Sequence, residues 1–156
     1  MNWGHYLFGF SGRLNRAKYW LWILIYFIAV AVMTGVTYAI NSPTTGGIVQ
    51  LVFSIVALIS SLAVMTKRLH DRNKSAWWLL IFVLIPSLLL GAGIVASVYG
   101  ALMTDDINNL GTLTLVGGAL TLAAAAFLIW GFVELACLRG TIGANQYGPD
   151  PLEGRV

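Results

Sequence analysis

The chain has 156 residues, of which 58% are hydrophobic and only 10% are charged, and its mean hydropathy is +0.82. Soluble domains carry roughly 25% charged residues, so this composition excludes an ordinary soluble protein and predicts a single integral membrane domain. The net charge of +3 does not indicate nucleic-acid binding, because the basic residues are grouped beside apolar stretches and not along one soluble face.

Residues 1–18 form a segment that precedes the first long apolar stretch. Apolar residues follow the spacing of one helical face at Trp3, Tyr6, Leu7, Phe10 and Leu14. Such a pattern suits a helix lying in the membrane interface. Three glycines in this segment each weaken a helix by about 1 kcal/mol, so a partly irregular segment against the headgroups is an open alternative. Either form predicts an interfacial anchor.

Four apolar stretches follow, at residues 19–40, 47–66, 77–103 and 112–138. Each reaches the roughly 20 residues that a helix needs to cross the bilayer core. Backbone groups in lipid must be satisfied within each segment, so these stretches predict helices. The expected fold is an all-α integral membrane four-helix bundle made of two transmembrane hairpins. Residues 19–40 are interpreted as a retained span, because their apolar character runs past the Ala-Val-Ala at 29–31 that could end a signal peptide.

Positive charge predicts the orientation of these helices. The basic residues all fall at one end of the spans: Arg13, Arg16, Lys18, Lys67, Arg68, Arg72, Lys74, Arg139 and Arg155. The opposite loops are residues 41–46, which are uncharged, and residues 104–111, which hold Asp105 and Asp106. Because Lys and Arg are retained in the cytoplasm, both termini are expected there.

Small residues recur four apart in three of the spans. The stripes are Ala31, Gly35 and Ala39; Gly93, Ser97 and Ala101; and Gly117, Thr121 and Ala125. Such stripes allow helix backbones to approach closely. They predict packing within one bundle, with contact between two copies of the chain as the alternative. Pro86 interrupts the third span and deprives the Phe82 carbonyl of its helical donor, which predicts a kink.

The connector at residues 67–74 is the densest polar segment. If the second helix continues through it, Asp71 lies within reach of Lys67 and Arg68 for local ion pairs. Asn73 tolerates the left-handed backbone conformation and would turn the chain into the third helix. One interpretation is a loop that only sets topology. The other is a headgroup site in which Arg68 and Arg72 bind a phosphate.

Catalytic and metal-binding patterns are weak. His70 next to Asp71 resembles an acid–base pair, but neighbouring residues of a helix point about 100° apart. No nucleophile, metal constellation or phosphate-binding glycine loop has a telling spacing, so no catalytic residue, metal or cofactor is assigned. The single cysteine, Cys137, is interpreted as a small packing residue.

Glu134 is the only charged residue inside the apolar stretches. An ionised side chain near the C-terminal end of a membrane helix is costly and opposes the helix dipole. It therefore predicts a cationic partner, with Arg13 and Arg68 as candidates. The alternative is an interfacial side chain that extends to water.

Residues 139–156 form a polar tail rich in turn-forming residues. Its prolines restrict the local backbone, so the tail is expected either to fold back over the helix ends or to remain solvated.

Three separated segments resemble the domain-of-unknown-function 805 family of bacterial inner-membrane proteins. They are FGFSGRLNR at residues 8–16 with Tyr19 and Trp20, RLHD at 68–71 with SAWW at 75–78, and GANQYGPDP at 143–151. Asn73 and Ala76 stand where that family often has glycine. The resemblance implies a small multi-pass protein of the bacterial inner membrane, with no established activity.

All three segments lie at the end that charge assigns to the cytoplasm, so we predict that they gather into one polar cap. Its predicted members are Arg13, Arg16, Arg68, His70, Asp71, Arg72, Asn145, Tyr147 and Asp150, with Glu134 beneath them. The favoured function is non-enzymatic: a binding or scaffold protein whose cap holds anionic lipid headgroups or a partner protein, with homo-oligomers also open. The alternatives are a component of a solute or lipid transporter and an enzyme acting on lipid headgroups.

Overall fold

The computed structural model describes residues 2–103 and 107–154. Its elements in chain order are α1 (Trp3–Phe8), α2 (Arg16–Ile40), α3 (Pro43–Asp71), a π-helical turn (Leu80–Leu84), α4 (Ile85–Met103), α5 (Ile107–Phe132) and a second π-helical turn (Val133–Cys137). Every regular element of the described residues is helical, and four segments are long and apolar enough to cross a membrane. The predicted all-α class with four membrane-length helices is confirmed.

The helices of the first hairpin extend beyond their apolar stretches because polar residues cap them. The Asn15 side chain accepts a hydrogen bond from the Lys18 backbone N–H at 3.0 Å, so α2 begins three residues before the predicted span. Ser42 caps α3, and Pro43 occupies its first turn. At its other end α3 continues into the basic connector and ends at Asp71. Asn73 then adopts φ +56°, as predicted for the turn that follows.

The N-terminal segment is less helical than its apolar spacing predicted. Helix α1 ends at Phe8, and Gly9 caps it in an extended conformation. An added Cβ at Gly9 would lie 2.7 Å from the His5 carbonyl oxygen, so this close turn needs glycine. Phe10 and Leu14 therefore lie beyond the helix, and they differ in burial: Leu14 is buried, while Phe10 is 50% exposed.

The chain forms two compact units, Met1–Ala76 with Leu135–Val156 and Trp77–Glu134. In the first unit α2 and α3 pack as a hairpin. The Trp22 indole N–H donates to the Ser60 hydroxyl at 3.1 Å between these helices, and both residues are buried. The hydrogen bond satisfies a polar pair that has no water to bind inside a bilayer.

In the second unit α4 and α5 pack through their small residues. A Cβ added at Gly93 would lie 2.9 Å from the Gly117 carbonyl oxygen, which shows how closely the two backbones approach. The prediction of packing within the chain is confirmed for these two stripes. Within the first unit, the first stripe makes no such approach, because a Cβ at Gly35 would meet nothing within 4 Å. The predicted acidic loop residues Asp105 and Asp106 lie outside the described residues.

Pro86 follows a local widening of the third membrane helix. Residues Leu80–Leu84 form a π-helical turn directly before α4. This turn includes Phe82, whose carbonyl receives no helical hydrogen bond from Pro86 because proline has no backbone N–H. A π-turn accommodates the missing N–H by shifting the hydrogen-bond pattern by one residue. The predicted irregularity therefore takes this form.

Large apolar side chains remain exposed along the long helices. Phe27 on α2 is 66% exposed, Leu51 on α3 61% and Leu122 on α5 74%. A water-soluble protein would bury such residues, whereas a membrane helix presents them to lipid.

Candidate functional site

The candidate site is centred on the carboxylate of Asp71, at the C-terminal end of α3 in the first unit. The Asp71 side chain is 4% exposed and forms ion pairs with two arginines, Arg13 and Arg68. The Arg13 pair has a separation of 3.1 Å between Nη2 and Oδ1. A buried carboxylate is tolerated when paired charges and hydrogen bonds replace its water, and both are present here.

Arg68 connects α3 to the other segments of the first unit. Its side chain is completely buried, and its Nε donates to the Leu135 carbonyl at 2.7 Å. Its two terminal nitrogens donate to the carbonyls of Leu14 and Leu138 and to Asp71. The predicted local pair with Asp71 is confirmed. Because these donors are used inside the protein, Arg68 braces the cap and does not face the outside.

Arg13 connects the C-terminal tail to Asp71 through hydrogen bonds. Its guanidinium donates to the carbonyls of Thr141 and Gly143, each at 2.6 Å, and to that of Gly148 at 3.3 Å. Its side chain is 1% exposed. One arginine thus joins the N-terminal motif, the α3 motif and the tail motif at a single point.

The tail folds back onto the end of α3, which was one of the two predicted alternatives. The Thr141 backbone N–H donates to the Asp71 carbonyl at 2.8 Å, and the Asn145 amide donates to the His70 carbonyl at 2.9 Å. The Tyr147 ring stacks on the His70 ring with centroids 3.8 Å apart. These contacts fix residues 141–148 although the segment has no regular secondary structure.

Asp150 closes the tail turn. Its carboxylate accepts the Leu152 backbone N–H at 2.9 Å and the Gly143 backbone N–H at 3.0 Å. These hydrogen bonds hold the pKa of Asp150 below its ordinary value, because they stabilise the ionised form. Asp150 therefore acts as a charged clamp within the tail.

Three arginines outside this buried network lie around residues 137–139. Arg16 donates to the Cys137 carbonyl at 3.0 Å, and Arg72 donates to the Arg139 carbonyl at 2.7 Å. Arg16 and Arg139 are exposed, whereas Arg72 is half-buried. We call Arg16, Arg72 and Arg139 the basic rim. Cys137 is exposed, so the prediction of a packing role for its side chain is wrong.

The cavity inside the cap is very small. It has a volume of about 20 Å³ and is lined by residues that include Arg16, Asp71, Arg139 and Asp150. A single water needs about 10–15 Å³ by this kind of measure, so the cavity is of water size. A larger ligand would have to bind at the outer surface of the cap.

The structure brings nine of the ten predicted site residues together in the first unit. Arg13, Arg68, His70, Asp71, Asn145, Tyr147 and Asp150 form the interior network, and Arg16 and Arg72 belong to the rim. Glu134 belongs to the second unit, at its last residue, and is only 4% exposed. That burial does not fit a side chain extending to water. Its two named candidate partners, Arg13 and Arg68, both pair with Asp71.

Sequence reasoning missed the role of Lys67. It was expected to pair with Asp71, but its ammonium donates to the His5 and Tyr6 carbonyls at 2.8 and 2.7 Å. Lys67, like Asp71, lies on the buried side of α3 that begins with Ser60, Ala63 and Val64. Extending the i, i+3, i+4 spacing of that side past the apolar stretch would have found it.

This network holds its acid and base residues in structural contacts. His70 Nδ1 lies 3.2 Å from the Gly12 carbonyl oxygen, so its ring is held by that carbonyl and by Tyr147. Asp71 is held by two arginines. The arrangement is suited to joining chain segments and to presenting cations at a surface.

Four membrane-length helices and a cap made from three distant polar segments define a multi-pass α-helical membrane protein. The chain belongs to the family described as Protein of unknown function (DUF805), whose profile matches residues 7–149. The resemblance noted in the sequence is thereby confirmed.

Curated relatives place the chain in the inner membrane. It is 29% identical to Inner membrane protein YhaH of Escherichia coli (strain K12) over 145 residues, which are 92% of this chain and 87% of that protein. It is 30% identical to Uncharacterized protein YiiR over 146 residues, 93% and 87% of the two chains, and 25% identical to Inner membrane protein YhaI over 94% and 88%, both from the same strain. No solved structure matches the chain. The relatives and the four apolar helices together identify a multi-pass inner-membrane protein.

Proposed function

We propose that this protein is a non-enzymatic binding protein whose polar cap lies at the cytoplasmic surface of the inner membrane and holds anionic lipid headgroups. The observation that carries the proposal is that the arginines of the cap fall into a buried group and a surface group. Arg13 and Arg68 direct their N–H donors to Asp71 and to backbone carbonyls. The basic rim stands outside that network, with Arg16 and Arg139 exposed.

Charge supports an anionic ligand. Among the described residues of the first unit, eight Lys and Arg stand against three carboxylates, those of Asp71, Asp150 and Glu153. The cytoplasmic leaflet carries anionic lipids that attract basic segments by about 1 kcal/mol per cation. Guanidinium groups also bind phosphate oxygens through two parallel hydrogen bonds. The electrostatic attraction and the hydrogen bonding both favour a headgroup at the rim.

The buried network supports a binding role in a second way. The interior arginines fix the Cys137 and Arg139 backbone region through Leu135, Leu138 and Thr141. The side chains of Arg16 and Arg72 bond to that same backbone, so these two rim cations are held in place before a ligand arrives. Holding binding groups in advance lowers the entropy cost of association.

The test compares two variants of the full chain, each lacking two positive charges. In Arg16→Gln/Arg139→Gln we expect retention of phosphatidylglycerol, measured by native mass spectrometry, to fall by about a hundredfold relative to the control, since each lost guanidinium removes a hydrogen bond to the phosphate worth about 1.5 kcal/mol. The control is Lys74→Gln/Arg155→Gln, in which Arg155 lies outside the described residues. Equal retention in the two variants contradicts lipid binding by the rim. Lipid-independent capture of a soluble protein that is lost only in the rim variant would favour the partner-protein alternative.

A further inference from the structure

A second polar cavity lies between α1, the start of α2 and the last turns of α3, all within the first unit. Its volume is about 280 Å³, and its lining includes Asn2, Ser11, Arg13, Lys18 and Lys67, with the Tyr6 ring. No carboxylate is among its lining residues. The cavity is distinct from the water-sized one inside the cap, and its size approaches the roughly 300 Å³ at which ligand pockets begin.

Lys67 makes this cavity unusual. Lys67 is only 2% exposed. No carboxylate in the described part of the chain forms an ion pair with its ammonium group. Two of its three N–H donors bond to the His5 and Tyr6 carbonyls, and its nitrogen lies 5.9 Å from the centre of the Tyr6 ring. Buried lysines are normally paired with an anion, because neutral carbonyls compensate the charge only in part. One donor is left for a ligand.

Further donors line the same cavity. Lys18 contributes a second ammonium, and Ser11 contributes an exposed hydroxyl. The Asn2 side-chain oxygen accepts the His5 backbone N–H at 3.2 Å, which orients the amide and leaves its NH₂ group as a donor. Two ammonium groups with neutral donors, in a pocket without a carboxylate, are the composition expected for a phosphate site.

The surroundings place the cavity at headgroup depth. Trp3, Phe8 and Phe10 flank it in sequence and are 52%, 42% and 50% exposed. Exposed aromatic residues next to a membrane helix mark the interface between the acyl chains and the headgroups. Lipid phosphates lie at that level of a bilayer, so a lipid bound here would have its acyl chains beside the apolar surface of α2.

We propose that the cavity between α1 and α3 is a phosphate-binding site in which Lys67 and Lys18 hold the phosphate group of an anionic phospholipid or a free phosphate ion. This site goes beyond the basic rim and uses different residues. Lys67 supplies the buried charge and Lys18 the accessible one.

The experiment uses the full-length protein, delipidated in detergent, with two probes. Phosphatidylglycerol retention is measured by native mass spectrometry against phosphatidylcholine, and binding of inorganic phosphate is measured by titration calorimetry. We expect Lys18→Gln to lower affinity for the bound probe about tenfold, as for a lost hydrogen bond to a charged group, while the matched control Lys74→Gln leaves it unchanged. Lys67→Gln should have an equal or larger effect. Because Lys67 also holds α1, Ser11→Ala provides a second test if that variant does not fold.

The two probes identify the source of the phosphate. Loss of phosphatidylglycerol without measurable phosphate binding assigns the site to lipid, whereas saturable phosphate binding with unchanged lipid retention assigns it to the free ion. The proposal is overturned if Lys18→Gln and Ser11→Ala bind both probes as Lys74→Gln does. The proposal is independent of the rim, because Arg16→Gln/Arg139→Gln keeps every residue of this cavity. Loss of lipid only in the rim variant contradicts lipid binding in the cavity, and loss only in Lys18→Gln contradicts lipid binding by the rim.

Discussion

Asp71 is the residue on which the internal charge balance of the cap depends. It lies between Arg13 and Arg68, and its backbone carbonyl accepts the Thr141 N–H. Gly140 packs directly against its carboxylate, and a Cβ there would clash with it. The carboxylate is therefore enclosed by a residue with no side chain and by two cations, and the cavity beside it has room for about one water.

Removing that charge should destabilise the protein. Asp71→Asn keeps the size of the side chain but leaves two buried arginines without their carboxylate, a change that costs about 3–5 kcal/mol when one partner of a buried pair is removed. We expect a clear decrease in the midpoint of thermal unfolding in detergent. Glu153→Gln removes a carboxylate from an exposed position and should change stability by less than about 0.5 kcal/mol. An Asp71→Asn midpoint equal to that of Glu153→Gln would show that the arginines find other compensation.

The sequence predicted the members of the cap better than their roles. Arg68 and Arg72 belong to one basic segment, and one of its two interpretations had them share a phosphate, but Arg68 is fully buried and Arg72 lies at the rim. Composition cannot separate them, because burial depends on which side of α3 the tail and the N-terminal segment cover. Both of those segments contact α3 through residues more than 50 positions away in the chain, Leu14 on Arg68 and Thr141 on Asp71.

At the scale of helices, the small residues of α4 and α5 show how a local pattern acquires meaning only through its partner. Gly93 and Gly117 face each other closely, whereas Gly35 on α2 faces open space. All three glycines belong to similar four-residue stripes. The sequence could therefore predict that close packing occurs, but not which stripes take part, because this depends on the pairing of helices.

Gly117 and Gly35 form a matched pair for testing that packing. A Cβ at Gly117 would lie 2.7 Å from the Gly93 carbonyl oxygen and would also meet the Ser97 side chain. We expect Gly117→Ala to destabilise the protein by about 1–3 kcal/mol through overpacking. Gly35→Ala adds the same methyl group to open space and should be neutral or slightly stabilising, since alanine favours helix. Chemical denaturation in mixed micelles would measure both; equal losses of stability would show that close packing at Gly117 is not the cause.

At the scale of the whole molecule, the helix count and the membrane location follow directly from hydropathy. A stretch of about 20 apolar residues has few alternatives to a membrane helix. The meeting of the three motifs was also predictable, because charge assigned all of them to one end of the spans. The contacts of the tail were harder to predict from the sequence, since a segment without regular structure is fixed by individual hydrogen bonds such as those of Asn145 and Arg13.

The difference in positive charge between the two ends of the spans predicts the orientation of the chain, which can be measured directly. The N-terminal segment and the tail meet at the C-terminal end of α3, whereas the turn between α2 and α3 at Asn41 and Ser42 is uncharged. Because Lys and Arg resist translocation, the motif end should be cytoplasmic. A reporter that is active only outside the cytoplasm should stay silent when fused to the C-terminus, and it should be active when fused after Ser42 in a truncated chain. A strong signal from the C-terminal fusion would place the cap on the other side of the membrane and remove the cytoplasmic leaflet as its source of anionic lipid.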